Sequence, residues 1–380
     1  MHKIRILTGS VFILLLAVGL EVASQRLLWT DEYFNLTSTL NASYKSLFIG
    51  IDQASNSPLF NVIQKLLRDL FSYHPPQEWV EGHWRGTHVF DQVFLRLQSV
   101  IFVAAALSAL FYYFYRRDSL FVGLYAVAVA TTSSIVWVHW TEARPYAVWF
   151  SLSLFQILLL LNILEDTSSQ NKKKLVYLIL VHCLLALSAT ISAIQIIAAG
   201  MVLWMFHRSK ALWYLPLVVL PLGICSYYYF NSSHFLFYFV DGPLALISAN
   251  IPKDRLFIIF ISAGILVLRC RFKGWTAQLE MKYLIFLILV LGAFVLELLQ
   301  LKYGQAPGQR TNLVSSRYLF SLSPVGIVGT VLFSVYLVKA FPSKLWKIAA
   351  VLILIGFLFF RAHKTVQQDP VSLVSNFMVF

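Results

Sequence analysis

Two adjacent carboxylates, Asp31 and Glu32 in Trp29-Thr30-Asp31-Glu32-Tyr33, are the first residues of the chain equipped for proton chemistry. They stand just beyond an apolar run, Ile4–Ala23, where an ionised carboxylate could take a proton from an attacking hydroxyl. Thr30 is also a capping residue type, and acidic residues in a first helical turn complement the helix dipole, so a plain helix-start reading competes. A second polar corner is His139-Trp140-Thr141-Glu142-Ala143-Arg144-Pro145-Tyr146. Arg144, beside Glu142 and Tyr146, presents a guanidinium fork of the kind that binds phosphate. The competing reading is an arginine snorkelling among interfacial aromatics. Ser315-Ser316-Arg317-Tyr318-Leu319 repeats the Arg-Tyr pairing, with Arg310 nearby. One anionic headgroup could therefore be held between Arg144-Tyr146 and Arg317-Tyr318. Arg96, opening the run Arg96-Leu97-Gln98-Ser99, reads better as an anchor than as a reactant.

Other polar residues carry less. His74, Glu78, Glu81, His83, His88 and Asp91 crowd one stretch, but their spacings match no zinc template. Glu297 lies inside an apolar run, an expensive place for a carboxylate and hence a candidate site residue, although near enough to one end to snorkel. Cys183, Cys225 and Cys270 sit in or at the end of apolar runs, which leaves a disulfide framework and redox chemistry without support.

The elements that must position these residues follow from composition. The chain has 380 residues, 59% hydrophobic and only 12% charged, with a mean hydropathy of +0.73. Soluble domains carry about twice that share of charge, and disordered, collagenous or disulfide-stapled chains need a different composition altogether. The net charge of +13 would suggest nucleic acid in a soluble protein. Here the positives cluster between apolar runs, as in Arg116-Arg117, Lys172-Lys173-Lys174 and Arg269, Arg271 and Lys273, so they are topology signals and the nucleic-acid reading is dismissed.

Apolar runs at Ile4–Ala23, Val93–Tyr115, Leu120–Val138, Tyr146–Leu164, Leu175–Ile191, Ser192–Phe206, Leu212–Phe230, Leu256–Leu268, Tyr283–Leu301, Tyr318–Val338 and Leu345–Phe360 predict an all-α polytopic membrane protein. At ~20 residues per span they allow about eleven crossings. The first run reads as a retained helix rather than a cleaved signal. Placing Lys3 and Arg5 inside puts every basic cluster on the cytoplasmic side, with the N-terminus in and the C-terminus out. The reading is one integral membrane domain over residues 1–380, with external loops at 24–91, 231–254 and 302–317. Within the first loop, Ser57-Pro58 starts a helix whose Leu59, Phe60, Ile63, Leu66, Leu67, Leu70 and Phe71 recur at helical spacing opposite Asn61, Gln64, Lys65 and Arg68. That pattern predicts an amphipathic helix on the membrane surface.

Taken in order, the acidic pair, the Pro-led loop helix, Arg96-Leu97-Gln98-Ser99, Glu142-Ala143-Arg144-Pro145-Tyr146-Ala147 and Arg317-Tyr318-Leu319 resemble the GT-C membrane glycosyltransferases of the protein-mannosyltransferase and aminoarabinose-transferase type. The resemblance runs through about the first 165 residues and returns at 315–324. The chain departs from that pattern in having Asn56-Ser57-Pro58 where the family often has His-Pro-Pro, Gln98 where it usually has Pro, and no sizeable soluble C-terminal domain.

The resemblance implies a GT-C-like bundle and a glycosyltransferase that moves a sugar from a polyprenyl-phosphate donor to a lipid, glycan or protein hydroxyl on the external face; the short chain and compact external loops point to a bacterial inner membrane. It maps the catalytic carboxylate onto Asp31, with Glu32 beside it as an orienting group or, with Asp31, a ligand for a divalent cation. Arg144, Arg317, Tyr146 and Tyr318 become the phosphate contacts, with Glu142, Arg96 and Glu297 as secondary candidates. Besides donor and acceptor, the partners are membrane lipids. Readings from other classes are a transporter or lipid flippase, and a membrane partner that keeps the fold without the activity.

Overall fold

Backbone polar groups have no water to bond in a lipid interior, so apolar runs of this length must become helices. A computed structural model describes residues 2–26, 28, 32, 35–36, 39–40, 42–49, 58–74, 79–80, 83–84, 89–165, 171–206, 215–231, 236–239, 247–248, 250–273, 282–290, 292, 311–314, 320–341 and 343–367. Its helices are α1 (His2–Gln25), α2 (Tyr44–Ile49), α3 (Pro58–Leu70), α4 (Val89–Arg117), α5 (Leu120–Thr131), α6 (Ser134–Trp140) and α7 (Tyr146–Glu165). They continue with α8 (Asn171–Ser188), α9 (Ser192–Phe206), a π-helical turn (Leu215–Val219) running into α10 (Leu220–Asn231), α11 (Lys253–Lys273), α12 (Leu322–Ala340) and α13 (Lys344–Gln367). Two short ladders complete it: an antiparallel pair of Trp79–Val80 with His83–Trp84, and a parallel pair of Leu236–Phe239 with Thr311–Val314.

The protein is a helical membrane protein. Among the described residues α1, α4, α7, α12 and α13 are each long and apolar enough to cross a bilayer, and α5 with α6 qualifies as a bent pair. Helix α7 is the hub, buried along most of its length and flanked by α4, α8 and α12. Helix α1 packs along α4, and α11 along α12. Helices α1 and α13 turn most of their apolar surface outward, with Ile13, Leu14, Leu352 and Phe359 exposed as a lipid-facing surface requires.

The run Leu120–Val138, read as one span, is instead broken by 77° between α5 and α6. The sequence at the break is Thr131-Thr132-Ser133-Ser134, and hydroxyls of this kind compete with the backbone ladder. Thr131 Oγ1 bonds back to Val127 O (3.0 Å) and Thr132 Oγ1 to Ala128 O (2.8 Å). The freed carbonyls find partners from outside the pair's own ladder: Trp137 Nε1 donates to Thr131 O (2.6 Å), and the buried Arg255 of α11 donates to Val129 O (2.5 Å).

Helix α3 has the predicted amphipathic pattern with its faces reversed relative to a soluble protein. Asn61, Gln64 and Arg68 are buried, whereas Leu66, Leu70 and Phe71 are 54%, 71% and 60% exposed. Gln64 Nε2 reaches Leu95 O (3.5 Å), Arg68 Nη2 reaches Thr39 O (2.9 Å), and Gln98 Nε2 of α4 reaches Phe60 O (3.4 Å). When the surrounding medium is as apolar as a core, burying the polar stripe against protein and leaving the leucines outside is the favourable arrangement.

The two ends of the bundle differ in their polar groups. At one, Lys339 at the end of α12 pairs with Asp118 (2.8 Å), and Arg117 at the end of α4 pairs with Glu165 at the end of α7 (3.1 Å). At the other gather the end of α1 and the starts of α4, α7 and α12. Gly19 of α1 is what lets that second end close: a Cβ there would lie 2.7 Å from Val100 Cγ1 and 2.9 Å from Trp140 Nε1. Gly19→Ala should therefore destabilise the protein by about 1–3 kcal/mol, as overpacking does. Gly9→Ala, on the same helix with nothing within 4 Å, should be neutral or slightly stabilising. Thermal unfolding of the two variants in detergent checks this, and equal melting temperatures would refute it.

Candidate functional site

The end of α1 leaves carbonyls to satisfy. Arg96, on the first turns of α4 and 0% exposed, supplies the donors: Nη1 bonds Ala23 O (3.0 Å) and Arg26 O (2.5 Å). Gln92, one turn earlier, reaches Ser24 O (2.7 Å) and Arg26 O (3.2 Å) with its amide oriented to donate. The other edge of Arg96 makes a two-pronged ion pair with Glu32: Nε to Oε1 at 2.9 Å and Nη2 to Oε2 at 2.6 Å. Glu32 Oε1 also accepts from the backbone N–H of Ala143 (2.5 Å). One buried carboxylate thus joins the first loop, the second long helix and the turn at residues 141–145.

That turn is held from two further directions. Arg26 donates through Nη1 to Val138 O (3.0 Å), Thr141 O (3.3 Å) and Thr141 Oγ1, closing the C-terminus of α6. Ser99 Oγ of α4 donates to Glu142 O (2.6 Å). Within the turn, His139 Nδ1–H donates to Glu142 Oε2 at 2.6 Å, and both residues are buried. The His139 ring lies between Tyr146 (4.8 Å between centroids) and Phe320 (4.6 Å). The Arg144 guanidinium carbon sits 5.4 Å from the Tyr146 ring centre, so His139 and Arg144 share that ring as a platform.

The electrostatics follow. Burial and the neighbouring Arg96 lower the Arg26 guanidinium to about 10, against the pull of Glu32 and Glu142, so it stays cationic at neutral pH. Burial alone would raise Glu142. The His139 charge and hydrogen bond, with Arg144 and Arg26 behind them, outweigh it and hold the carboxyl below the ordinary glutamate range.

Of the residues singled out from sequence, Glu32, Arg96, Glu142, Arg144 and Tyr146 are brought to this one end of the bundle. Asp31, Arg317, Tyr318 and Glu297 lie outside the described residues. In sequence, Asp31 adjoins the buried Glu32, and Arg317 and Tyr318 stand just before Phe320, which packs on His139 and on Phe150 (5.0 Å). Glu32 is engaged by Arg96 and Ala143, a geometry that holds the corner together, and Arg96 is the anchor its sequence position suggests. Among the described residues, no three His, Cys, Asp or Glu side chains gather as a metal ion would require.

Sequence reasoning passed over Arg26 and Arg255 and gave His139 no role. An arginine next to an apolar run has the pattern of an interfacial anchor, and only burial distinguishes it. His139 carried one legible signal, its position three residues before Glu142 at helical spacing.

Arg96→Met would leave Glu32 buried without its partner. The expected cost is about 3–5 kcal/mol, read as loss of folded protein on size exclusion and in thermal melts. The Glu142 carboxylate gives a pH signature. Its folded value lies below the ordinary 4.5, so its stabilising contribution is present above that pH and is lost as the pH falls through the folded value. Glu142→Gln should flatten the acid side of a melting-temperature profile, and an unchanged acid side would remove the pair as its source. No family model matches the chain, and no curated protein does.

Proposed function

We propose that the chain is a membrane glycosyltransferase of the GT-C type, a single bundle of about eleven spans at ~20 residues each, working on the external face of a bacterial inner membrane. It moves a sugar from a polyprenyl phosphate to a hydroxyl of a lipid, glycan or protein. The observation that carries this reading is the gathering of Glu32, Arg96, Arg26, Glu142, Arg144 and Tyr146 at one end of the bundle, with Phe320 docked against them. That end lies away from the basic pairs of Arg117 and Lys339, which the bias of Lys and Arg toward the cytoplasm makes the inner one.

The reaction needs few parts. A polyprenyl phosphate is a competent leaving group and needs no proton. The acceptor oxygen forms its bond to the anomeric carbon as the bond from that carbon to the phosphate oxygen breaks. The hydroxyl proton passes to a carboxylate, which we assign to Asp31. The bonding pair leaves with the phosphate, whose growing charge is met by Arg144 and Arg317, with Tyr146 and Tyr318 as further donors. In-line displacement inverts the anomeric centre. Glu32, the residue next to Asp31 in sequence, is tied to Arg96 and to the Ala143 N–H, beside Arg144. Helix α3, with leucines outward and polar stripe inward, fits a wall between the headgroup and the acyl chains.

A transporter is the second reading, and one observation favours it. His182 of α8 lies buried in a polar network, its Nδ1 bonded to Leu217 O (2.9 Å) in the π-helical turn and its Nε2 to Gln156 Nε2 (2.9 Å), with Gln195 and Ser153 beyond. Transporters keep polar sites within the bilayer at broken helices. These groups satisfy one another, which suits helix registry better than a pathway.

The test is transfer of label from radiolabelled polyprenyl-phosphate sugars in membranes holding the protein. Asp31→Asn should lower turnover at least about 100-fold with the donor KM little changed, and Arg144→Gln should raise the donor KM. Wild-type turnover in a folded Asp31→Asn protein would remove Asp31 as base.

A further inference from the structure

Arg26 holds an unused pair of donors in the middle of the corner. The side chain is 2% exposed. Nη1 closes the end of α6, but Nε and Nη2 are buried and have no hydrogen-bond partner. These two nitrogens form the edge of a guanidinium whose N–H bonds point in parallel, the edge that Arg96 turns to Glu32 in its own two-pronged pair. Both nearby carboxylates act on Arg26 through space, yet neither bonds this edge. Glu32 goes to Arg96 and Ala143, and Glu142 to His139. Leaving charged donors buried without an acceptor is costly, and the cost is avoidable only if something fills the edge. Two parallel charged donors on one planar group call for an acceptor with a matching pair of oxygens, as a phosphate has.

We propose that the Nε–Nη2 edge of Arg26, the edge its Nη1 cap of α6 leaves unused, is a phosphate subsite, bound two-pronged. A phosphate oxygen pair matches the parallel N–H bonds as a carboxylate does on Arg96. That the phosphate is the headgroup of a polyprenyl carrier rests on the glycosyltransferase reading; the anion subsite itself does not. Because the same guanidinium closes α6, an occupant would also stiffen the turn at residues 141–145 and raise the stability of the folded state by mass action.

The experiment uses the purified full chain in detergent, with a polyprenyl monophosphate, the matching free polyprenol and inorganic phosphate as separate probes. The expected result is a rise in melting temperature with the polyprenyl phosphate and none with the polyprenol. In Arg26→Gln the Kd for the polyprenyl phosphate should increase about 10–100-fold. Thr141→Val, which removes part of the α6 cap but leaves the free edge, should keep the Kd within about threefold. If Arg26→Gln does not fold, Arg26→Lys decides: an ammonium cannot span the fork, and the Kd should rise about tenfold. Inorganic phosphate stabilising as strongly as the lipid would support the subsite and make free phosphate its ligand. Equal affinity in wild type and the Arg26 variants, or stabilisation by polyprenol alone, would overturn it. Arg26-dependent binding in a protein that transfers no sugar keeps the subsite and defeats the glycosyltransferase reading. Sugar transfer indifferent to Arg26 does the reverse.

Discussion

A helix that stops inside a protein surrounded by lipid leaves its last carbonyls with no water to turn to. Three guanidiniums answer that constraint here, and much of the described architecture hangs on them. Arg96 closes α1, Arg26 closes α6, and Arg255 meets the carbonyls freed where α5 breaks. Arginine suits the task because it stays charged when buried and reaches several acceptors from one planar group. Each reaches across from another part of the chain, so capping a helix and packing the bundle are one event. The bend between α5 and α6 is stable for this reason, and the bend sets the turn at residues 141–145.

A second consequence is charge. Guanidiniums recruited to carbonyls bring positive charge to one end of the bundle, and Glu32 and Glu142 offset part of it. Both carboxylates have their buried partners in Arg96 and His139, which makes them structural ties as much as candidate reactants. A site built this way is organised before any ligand arrives, which is how charge developing in a transition state is stabilised without reorganisation.

Lipid as solvent also reverses familiar patterns. Leu66 and Leu70 of α3 face out and its Asn, Gln and Arg face in, and α1 and α13 leave Ile13, Leu14, Leu352 and Phe359 exposed. Ranking core residues by hydrophobicity fails in such a protein. Close approach comes instead from small residues such as Gly19, where α1 meets Val100 and Trp140.

Hydropathy was enough to establish a helical membrane protein and the places of its long helices, and residue types at short spacing marked the amphipathic period of α3 and the corners at Glu32, Arg96 and Glu142–Tyr146. Those are properties of composition and local spacing, and lipid enforces them because backbone in hydrocarbon has so few options. Tertiary structure decided the rest. Which face of α3 turns inward depends on Leu95 and Thr39, far from it in sequence. Whether Leu120–Val138 runs straight depends on an arginine more than a hundred residues away. Arg26 and Arg255 are indistinguishable in sequence from arginines that snorkel to water, because burial is a property of what packs around a residue and local spacing carries no record of it.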